Sequence, residues 1–514
     1  MTRHRKLVAR RAFLAGAAAV GGLAPLAMGV GRSRAAGPAK GGHLRLGVDG
    51  AGTTDSLDPA SYASDYGFIK GFIWGNCLVE IDEHGKPVPE LAASWQPNAD
   101  ATRWVFSLRK GVLFHNGKEM TAADVVHSID HHRGPNSKSG ALAVLKPVTE
   151  VKASGKHEVT FTLAAGNADL PALLSDYHLL IMPEGGDPAA GIGTGPFVLD
   201  RVNPGVVITG KRNPGYWKPG RPYVDTVELI AINDPTARMS ALQTRAVDAI
   251  NRVDPKIVGM LKAKGGVKVL DVPSAGFYCF PMRCDLRPFD NADLRMALKL
   301  ALDREDMLKK ILRGFGRLGN DQPVPSFDPM FDAGLAQRTY DPDKARSLFK
   351  KSGWNAPIEL QVAPTSFPGA LDAAALYQQS AKKAGIDIAI RRVSDDGYWD
   401  NVWLKAPFCG SYWSGRATAD QMLSTGFLSD AAWNETAWRR PEFDRLVVAA
   451  RGELDMAKRR AMYATMQTMI RDDGGDVIPV FNNAIFALGG NIGGFVPTPV
   501  LTGARMPEQL YFES

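Results

Sequence analysis

The chain has 514 residues, 45% of them hydrophobic, 9% aromatic and 22% charged, a composition that excludes a disordered or low-complexity protein and, at roughly 150 residues per domain, allows about three domains. A formal net charge of +7 would favour nucleic acid or an anionic membrane as partner. However, Arg3, Arg5, Lys6, Arg10, Arg11, Arg32 and Arg34 all lie in a leading stretch that carries no acid, and without these seven the chain has 54 basic and 54 acidic residues. The electrostatic case for nucleic acid disappears with them.

In chain order, residues 1–35 read as an export signal, with a basic start, an Ala/Gly-rich apolar stretch from about Ala12 to Val30, and then small residues. Arg10-Arg11-Ala12-Phe13-Leu14 matches a twin-arginine pattern, and Ser33-Arg34-Ala35 puts the expected cut near Ala35. A periplasmic protein is expected. No later stretch approaches the ~18 consecutive apolar residues that a membrane span needs.

Strands are expected at HLRLGVD from His43, TRWVFSLR from Thr102, EVTFTL from Glu158, VELIAI from Val227, VKVLDV from Val267, IELQVA from Ile358 and IDIAIRRV from Ile386. Between them lie helices with marked ends. Thr121-Ala122-Ala123-Asp124 is a capping-box variant, Asp234-Pro235 and Asp341-Pro342 start helices, and Gly353 ends the second of these. Another helix begins at Asn291, with Gly314 near the end of its helical region. Strand 358, a helix near 371–385 and strand 386 form a βαβ unit, which requires parallel pairing. A helical region over 441–472 precedes a returning strand at VIPVFNNAIFALGG from Val477. The fold class is α/β, in two lobes with the chain crossing between them more than once.

Enzyme motifs fail on their spacing. Gly191-Ile192-Gly193-Thr194-Gly195-Pro196 has proline where a dinucleotide fingerprint needs its third glycine, so a tight turn is expected. His127 and His131 lack the glutamate of a metalloprotease helix and, with His132, Asp130 and Arg133, read as a solvated face. Asp395-Asp396 and Asp472-Asp473 are adjacent, point apart and read as solvated charges. A nucleophile at Ser414 would need a glycine where Tyr412 stands. Cys77, Cys279, Cys284 and Cys409 do not have zinc-site spacing and are expected as buried small side chains, with at most one bridge from Cys279 to Cys284 or Cys409. No enzyme activity, cofactor or metal is expected.

Several segments together resemble family 5 of the extracytoplasmic solute-binding proteins of ABC transporters. They are PELAASWQPNADATRWVFSLRKGVLFHNGKEMTAADVVHSID from Pro89, GTGPFVLD from Gly193, RNPGYWKPGRPYVDTVEL from Arg212, DPTARMSALQTRAVDAI from Asp234, PFDNADLRMALKLALDRE from Pro288 and YDPDKARSLFKKSGW from Tyr340. The resemblance implies a Venus-flytrap fold. Its first lobe would comprise 42–80, 191–272 and 480–514, with a subdomain at 81–190, and its second lobe 273–479. It also implies a monomer that captures a peptide or peptide-like solute and docks on membrane permease subunits. An opine, glycan or metal chelate is the alternative ligand, and a secreted serine hydrolase the alternative class.

In peptide-binding members, a loop resembling Trp413-Ser414-Gly415-Arg416 carries a tryptophan and then an aspartate that pairs with the ligand's α-amino group. Here Arg416 stands about where that aspartate would be, so an anionic ligand group is expected instead. Two readings stay open, in which Arg416 pairs either with a ligand carboxylate or phosphate or with Asp420. Tyr412, Trp413, Ser414 and Gly415 would complete this wall of the cleft. Tyr62 and Tyr66 after the first strand, Tyr278 and Phe280 at the start of the second lobe, and Asn482 and Asn483 near the return crossing are further candidates.

Overall fold

The structure is a computed structural model that describes residues 37–62, 64–134, 137–394 and 398–514; the expected leader and the Asp395-Asp396 pair lie outside these. Period two sorts the first strand, His43–Val48, which buries Leu44, Leu46 and Val48. It runs parallel to Thr226–Ala231 on one side and Ala249–Ile250 on the other. All three belong to a nine-stranded mixed sheet in the order 411–413, 267–281, 476–489, 249–250, 43–48, 226–231, 207–212 and 197–203, with 316–318 added on 476–489.

Two strands run through the whole molecule. Val267–Pro281 and Asp476–Gly489 pair antiparallel from Val267 opposite Gly489 to Pro281 opposite Asp476, and their register slips between Pro273 and Phe277. Their two ends join different cores. Leu270, Phe486 and Leu488 pack with Leu44 and Leu229, whereas Phe277, Ile478 and Phe481 pack with Trp413, Trp438 and Met466. This is the double crossing of a two-lobed fold.

A separate antiparallel sheet of 92–97, 103–108, 158–163 and 148–155 carries helix Ala122–His131, whose Val125 and Ile129 share a core with Trp104, Phe106 and Phe161. The helix starts as its capping box demands, with the Asp124 carboxylate accepting from the Thr121 N–H at 2.7 Å and from its hydroxyl at 2.9 Å. In the other lobe, Ile358–Val362 and Ile388–Arg392 pair in parallel across helix Ala370–Lys383, the expected βαβ crossover. The helical region after Asn291 divides into Ala292–Ala301 and Arg304–Lys310, the second capped by Asp303. The region 441–472 likewise divides into Pro441–Gly452 and Met456–Asp473, the second capped by Asp455.

Four expectations need correction or refinement. The Gly193 and Gly195 turn is a packing device, because a Cβ at either position would collide with the main chain of Trp74. The three neighbouring histidines are not one solvated face: His131 bonds Asp58 at 2.8 Å, and His132 is buried against Ser139, its imidazole pushed down to about 3 by that burial. Asp472 and Asp473 do point apart, yet they are ion-paired rather than merely solvated, with Arg338 and Arg471 on Asp472 and Arg295 and Arg440 on Asp473. All four cysteines are free thiols, so Cys279 forms no bridge. Among the described residues, no helix is long and apolar enough to cross a membrane.

Candidate functional site

The strand Ser411–Trp413 adds to the end of Val267–Pro281, setting Ser411 opposite Cys279, Tyr412 opposite Tyr278 and Trp413 opposite Phe277. Alternation then turns Ser411 and Trp413 into the core and leaves Tyr412 45% exposed. The Trp413 indole lies nearly parallel to Phe277 at 6.5 Å and donates its N–H to Glu435 Oε1 at 2.6 Å. Gly415 is where the loop presses on the long strand, since a Cβ there would lie 2.6 Å from that of Ala275. Trp413 is thus a wall held from behind, and Gly415 permits the close approach that holds it.

Arg416 projects from this loop. Its guanidinium carbon lies 5.7 Å from the Trp413 ring centre and 6.0 Å from that of Trp433, and its Nη1 donates to the Ser414 carbonyl at 3.1 Å. Burial lowers its pKa, opposed by Tyr177 and by the Asp176 carboxylate on the other side of the cleft. An arginine so placed stays protonated at neutral pH. The Asp420 alternative is overturned: its carboxylate accepts two bonds from Arg451 Nε, both at 3.1 Å, and a third from Ser424. Among the described residues, no carboxylate lies within ion-pair distance of Arg416.

The remaining candidates separate. Tyr278 stacks on Phe367 at 4.5 Å, beside Tyr412, and Phe280 is in the second-lobe core. Tyr62 and Tyr66 are packed inside the first lobe instead of lining a cleft. Tyr62 donates to the Leu57 carbonyl at 2.8 Å under the Lys70 ammonium, and Tyr66 is fully buried against the main sheet. Asn482 and Asn483 lie in the crossing strand. The Asn482 carbonyl accepts from Ser274, and the Asn483 amide donates to Asp271 at 2.6 Å, so these residues brace the crossing.

Sequence reading missed the residues that complete the wall. Trp433, 45% exposed, packs at 6.1 Å from Trp413 and edge-on at 5.8 Å from Trp403. Glu435, 3% exposed, takes the Trp403 indole N–H on Oε2 at 2.5 Å as well as that of Trp413 on Oε1. Across from them, Tyr177 packs at a tilt against Phe68 with ring centres 3.9 Å apart, and Arg252 pairs with Asp65 at 3.2 Å and Asp49 at 3.4 Å. No local pattern marks these residues, because each acts on a partner distant in sequence. Beyond the wall the two sides of the molecule touch. Arg459 clamps Asp169 with bonds of 2.8 and 2.5 Å, and the Ala168 N–H donates to the Arg451 carbonyl at 2.7 Å.

The comparisons agree with this architecture. The family model for bacterial extracellular solute-binding proteins, family 5 (middle), matches residues 86–435. The chain is 26% identical over 480 residues to di/tripeptide-binding protein 3 of Pseudomonas aeruginosa, covering 85% of this chain and 89% of that one. The DppA protein of Helicobacter pylori in complex with the peptide STSA superposes with a TM-score of 0.77 at 23% identity, over 93% of this chain and 99% of that one. AgaA of Agrobacterium tumefaciens R10 in complex with agropinic acid also gives 0.77, at 22% identity, over 92% and 99%. These are solute-binding proteins and not enzymes, which removes the hydrolase alternative for Ser414. The match over most of its length and the shared two-lobed fold show that the chain belongs to the bacterial extracellular solute-binding proteins of family 5.

Proposed function

We propose that this protein captures a peptide or peptide-like solute bearing a carboxylate or phosphate, closes around it and delivers it to the membrane permease of an ABC importer. In this reading it is an exported, periplasmic monomer that reaches its compartment by the twin-arginine route. The lobes are those expected from the sequence, 42–80, 191–272 and 480–514 with the subdomain 81–190, closing on 273–479. The observation that carries the anionic ligand is Arg416, seated against two indole rings while Arg451 takes Asp420. A cation there repels a free α-ammonium and attracts an acid. The Arg459–Asp169 clamp supports closure, because it joins residues on opposite sides of the cleft.

Titration calorimetry with dialanine, N-acetyl-dialanine and dialanine amide tests this reading. The N-acetylated acid is expected to bind at least as well as dialanine, and the amide more weakly. Arg416→Ala is expected to weaken the acids about 10- to 150-fold, the equivalent of one charge-assisted hydrogen bond of roughly 1.5–3 kcal/mol. Equal affinity for acid and amide, unchanged by Arg416→Ala, sinks the anionic reading. A second reading, an opine-like acid without a free amine, rests on the same arginine. Native mass spectrometry of protein purified without denaturation separates the two by the mass retained.

A further inference from the structure

Behind the tryptophan wall, three adjacent strands present polar side chains in a core that is otherwise apolar. Ser411 and Cys279 are directly opposite one another, and Asp476 lies opposite Pro281, two residues along from Cys279 and just past a second register slip between Tyr278 and Phe280. Opposed residues share a face, so Ser411 and Cys279 point to the same side, and with Asp476 they form one row across 411–413, 267–281 and 476–489. Glu435 caps the row from the connecting loop. The surrounding cluster includes Phe277, Trp413, Leu423, Trp438, Met466 and Ile478. Ser411, Cys279, Asp476 and Glu435 are between 0% and 3% exposed.

The donor atoms converge. Cys279 Sγ is 3.3 Å from Glu435 Oε1, and the ligand atoms of Cys279, Glu435 and Asp476 all lie within 4.8 Å of one another, the one such group of three among the described residues. One oxygen of this set, Asp476 Oδ1, has no hydrogen-bond partner. A buried carboxylate oxygen without a donor is costly unless a proton or a cation meets it. From this juxtaposition we infer a buried binding site for a divalent cation of the zinc class, ligated by Cys279 Sγ and the carboxylates of Glu435 and Asp476, with Ser411 Oγ as the neighbouring fourth donor.

The chemistry of the donors selects the metal. One thiolate with two carboxylates suits zinc or its substitute cobalt(II), whereas calcium and magnesium take all-oxygen sets. Bonds of ~2.3 Å to sulfur and ~2.0–2.2 Å to oxygen in a tetrahedron put sulfur about 3.5 Å from each oxygen, close to the present Cys279–Glu435 separation. Binding forms the metal–sulfur bond as the Cys279 S–H proton leaves to solvent, together with any proton held by the two carboxyls. The charges then close: one thiolate and two carboxylates against the dication and the buried Lys299 ammonium, whose field acts on Asp476. The outer shell is also built, since the indole N–H groups of Trp413 and Trp403 fix the Glu435 carboxylate, one on each oxygen. Cation and ligand wall would therefore share one carboxylate. Because the site is enclosed, loading accompanies folding.

The test uses the full-length chain, purified from zinc-replete cells and also refolded with zinc or cobalt(II), then dialysed free of loose metal. Elemental mass spectrometry is expected to find about one zinc per chain. The cobalt form is expected to show a near-ultraviolet thiolate-to-cobalt charge-transfer band. Cys279→Ser should abolish the band, Asp476→Asn should lower metal retention at least tenfold, and Cys409→Ser should leave both unchanged. Less than a tenth of an equivalent in wild-type protein from both preparations overturns the site and leaves a buried protonated carboxyl pair. Metal retained by Cys279→Ser also overturns it, by placing the ion elsewhere. The wild-type measurement decides the matter even if a variant does not fold.

Discussion

Replacing Asp169 by Asn removes one charge from the contact that joins the two sides of the cleft while keeping its shape. Arg459 Nη1 and Nη2 reach the two Asp169 oxygens at 2.8 and 2.5 Å, and the side chains are only 5% and 13% exposed. Burial alone would lower the Arg459 guanidinium, but the Asp169 charge and its bonds raise it, so the pair is tightly ionic. Charges about 4 Å apart attract by ~4 kcal/mol at an effective dielectric constant near 20. Desolvation returns part of that. The net value falls near 1–3 kcal/mol, above an exposed pair and below the ~3–5 kcal/mol lost when a fully buried partner is removed. Asp169 lies beside the four-stranded sheet and Arg459 on helix Met456–Asp473, so under the proposed closing motion the energy acts on closure rather than on either lobe. Asp169→Asn is therefore expected to shift the closed-to-open ratio about 5- to 150-fold toward open. Small-angle scattering of ligand-stripped protein reads the expansion, and calorimetry with trialanine reads the matching loss of affinity. Asp169 is the better partner to change, because Arg459 also donates to the Ala450 carbonyl at 3.0 Å and its removal would disturb the helix pair as well. Unchanged scattering together with unchanged affinity would refute the clamp as a closure contact.

Two further outcomes follow from neighbouring residues. Burial pushes the Asp328 carboxyl up to about 6, with Asp169 adding and Arg459 opposing. The native state then holds a proton that the unfolded chain has released, so this group's contribution to stability falls as pH rises from about 4 to 6, by at most about 3 kcal/mol. Asp328→Asn should flatten that part of the denaturation-versus-pH curve, and an unchanged slope would show that Asp328 titrates normally. Gly426→Ala would put a Cβ 2.8 Å from the Trp413 ring, on aromatic carbon that is itself tied to Glu435. The expected cost is about 1–3 kcal/mol of overpacking, together with a changed tryptophan emission; a variant with wild-type stability and spectrum would mean that Trp413 is not fixed as described.

Much of the scaffold was legible because its signals are local. Asp341-Pro342 and Gly353 bound helix Pro342–Ser352 as read, since caps and left-handed glycines act within one turn. The βαβ unit over 358–392 followed from two apolar runs around an amphipathic helix. The resemblance assigns the loop 412–416 to the cleft wall and marks Arg416 as its departure from the peptide-binding members, and the structure sets Arg416 against the Trp413 and Trp433 rings. Burial of Tyr62 and Tyr66 was not legible, because an aromatic residue after a strand suits a cleft or a core equally well. The histidine cluster was misread for a related reason: His131 meets Asp58 and His132 meets Ser139 through chain reversals that no periodicity records.

The sequence by itself determined which segments become strands and helices, the positive charge in the loop 412–416 and the absence of an elbow around Ser414, since all of these depend on residues within a few positions of one another. Only the tertiary structure decided what those residues do. It gave Asp420 to Arg451 and brought Glu435 under Trp413 and Trp403. It also aligned Ser411, Cys279 and Asp476 across three strands and joined Asp169 to Arg459. The reason is physical: strand register and lobe packing choose partners tens to hundreds of positions apart, and a linear pattern holds no record of that choice.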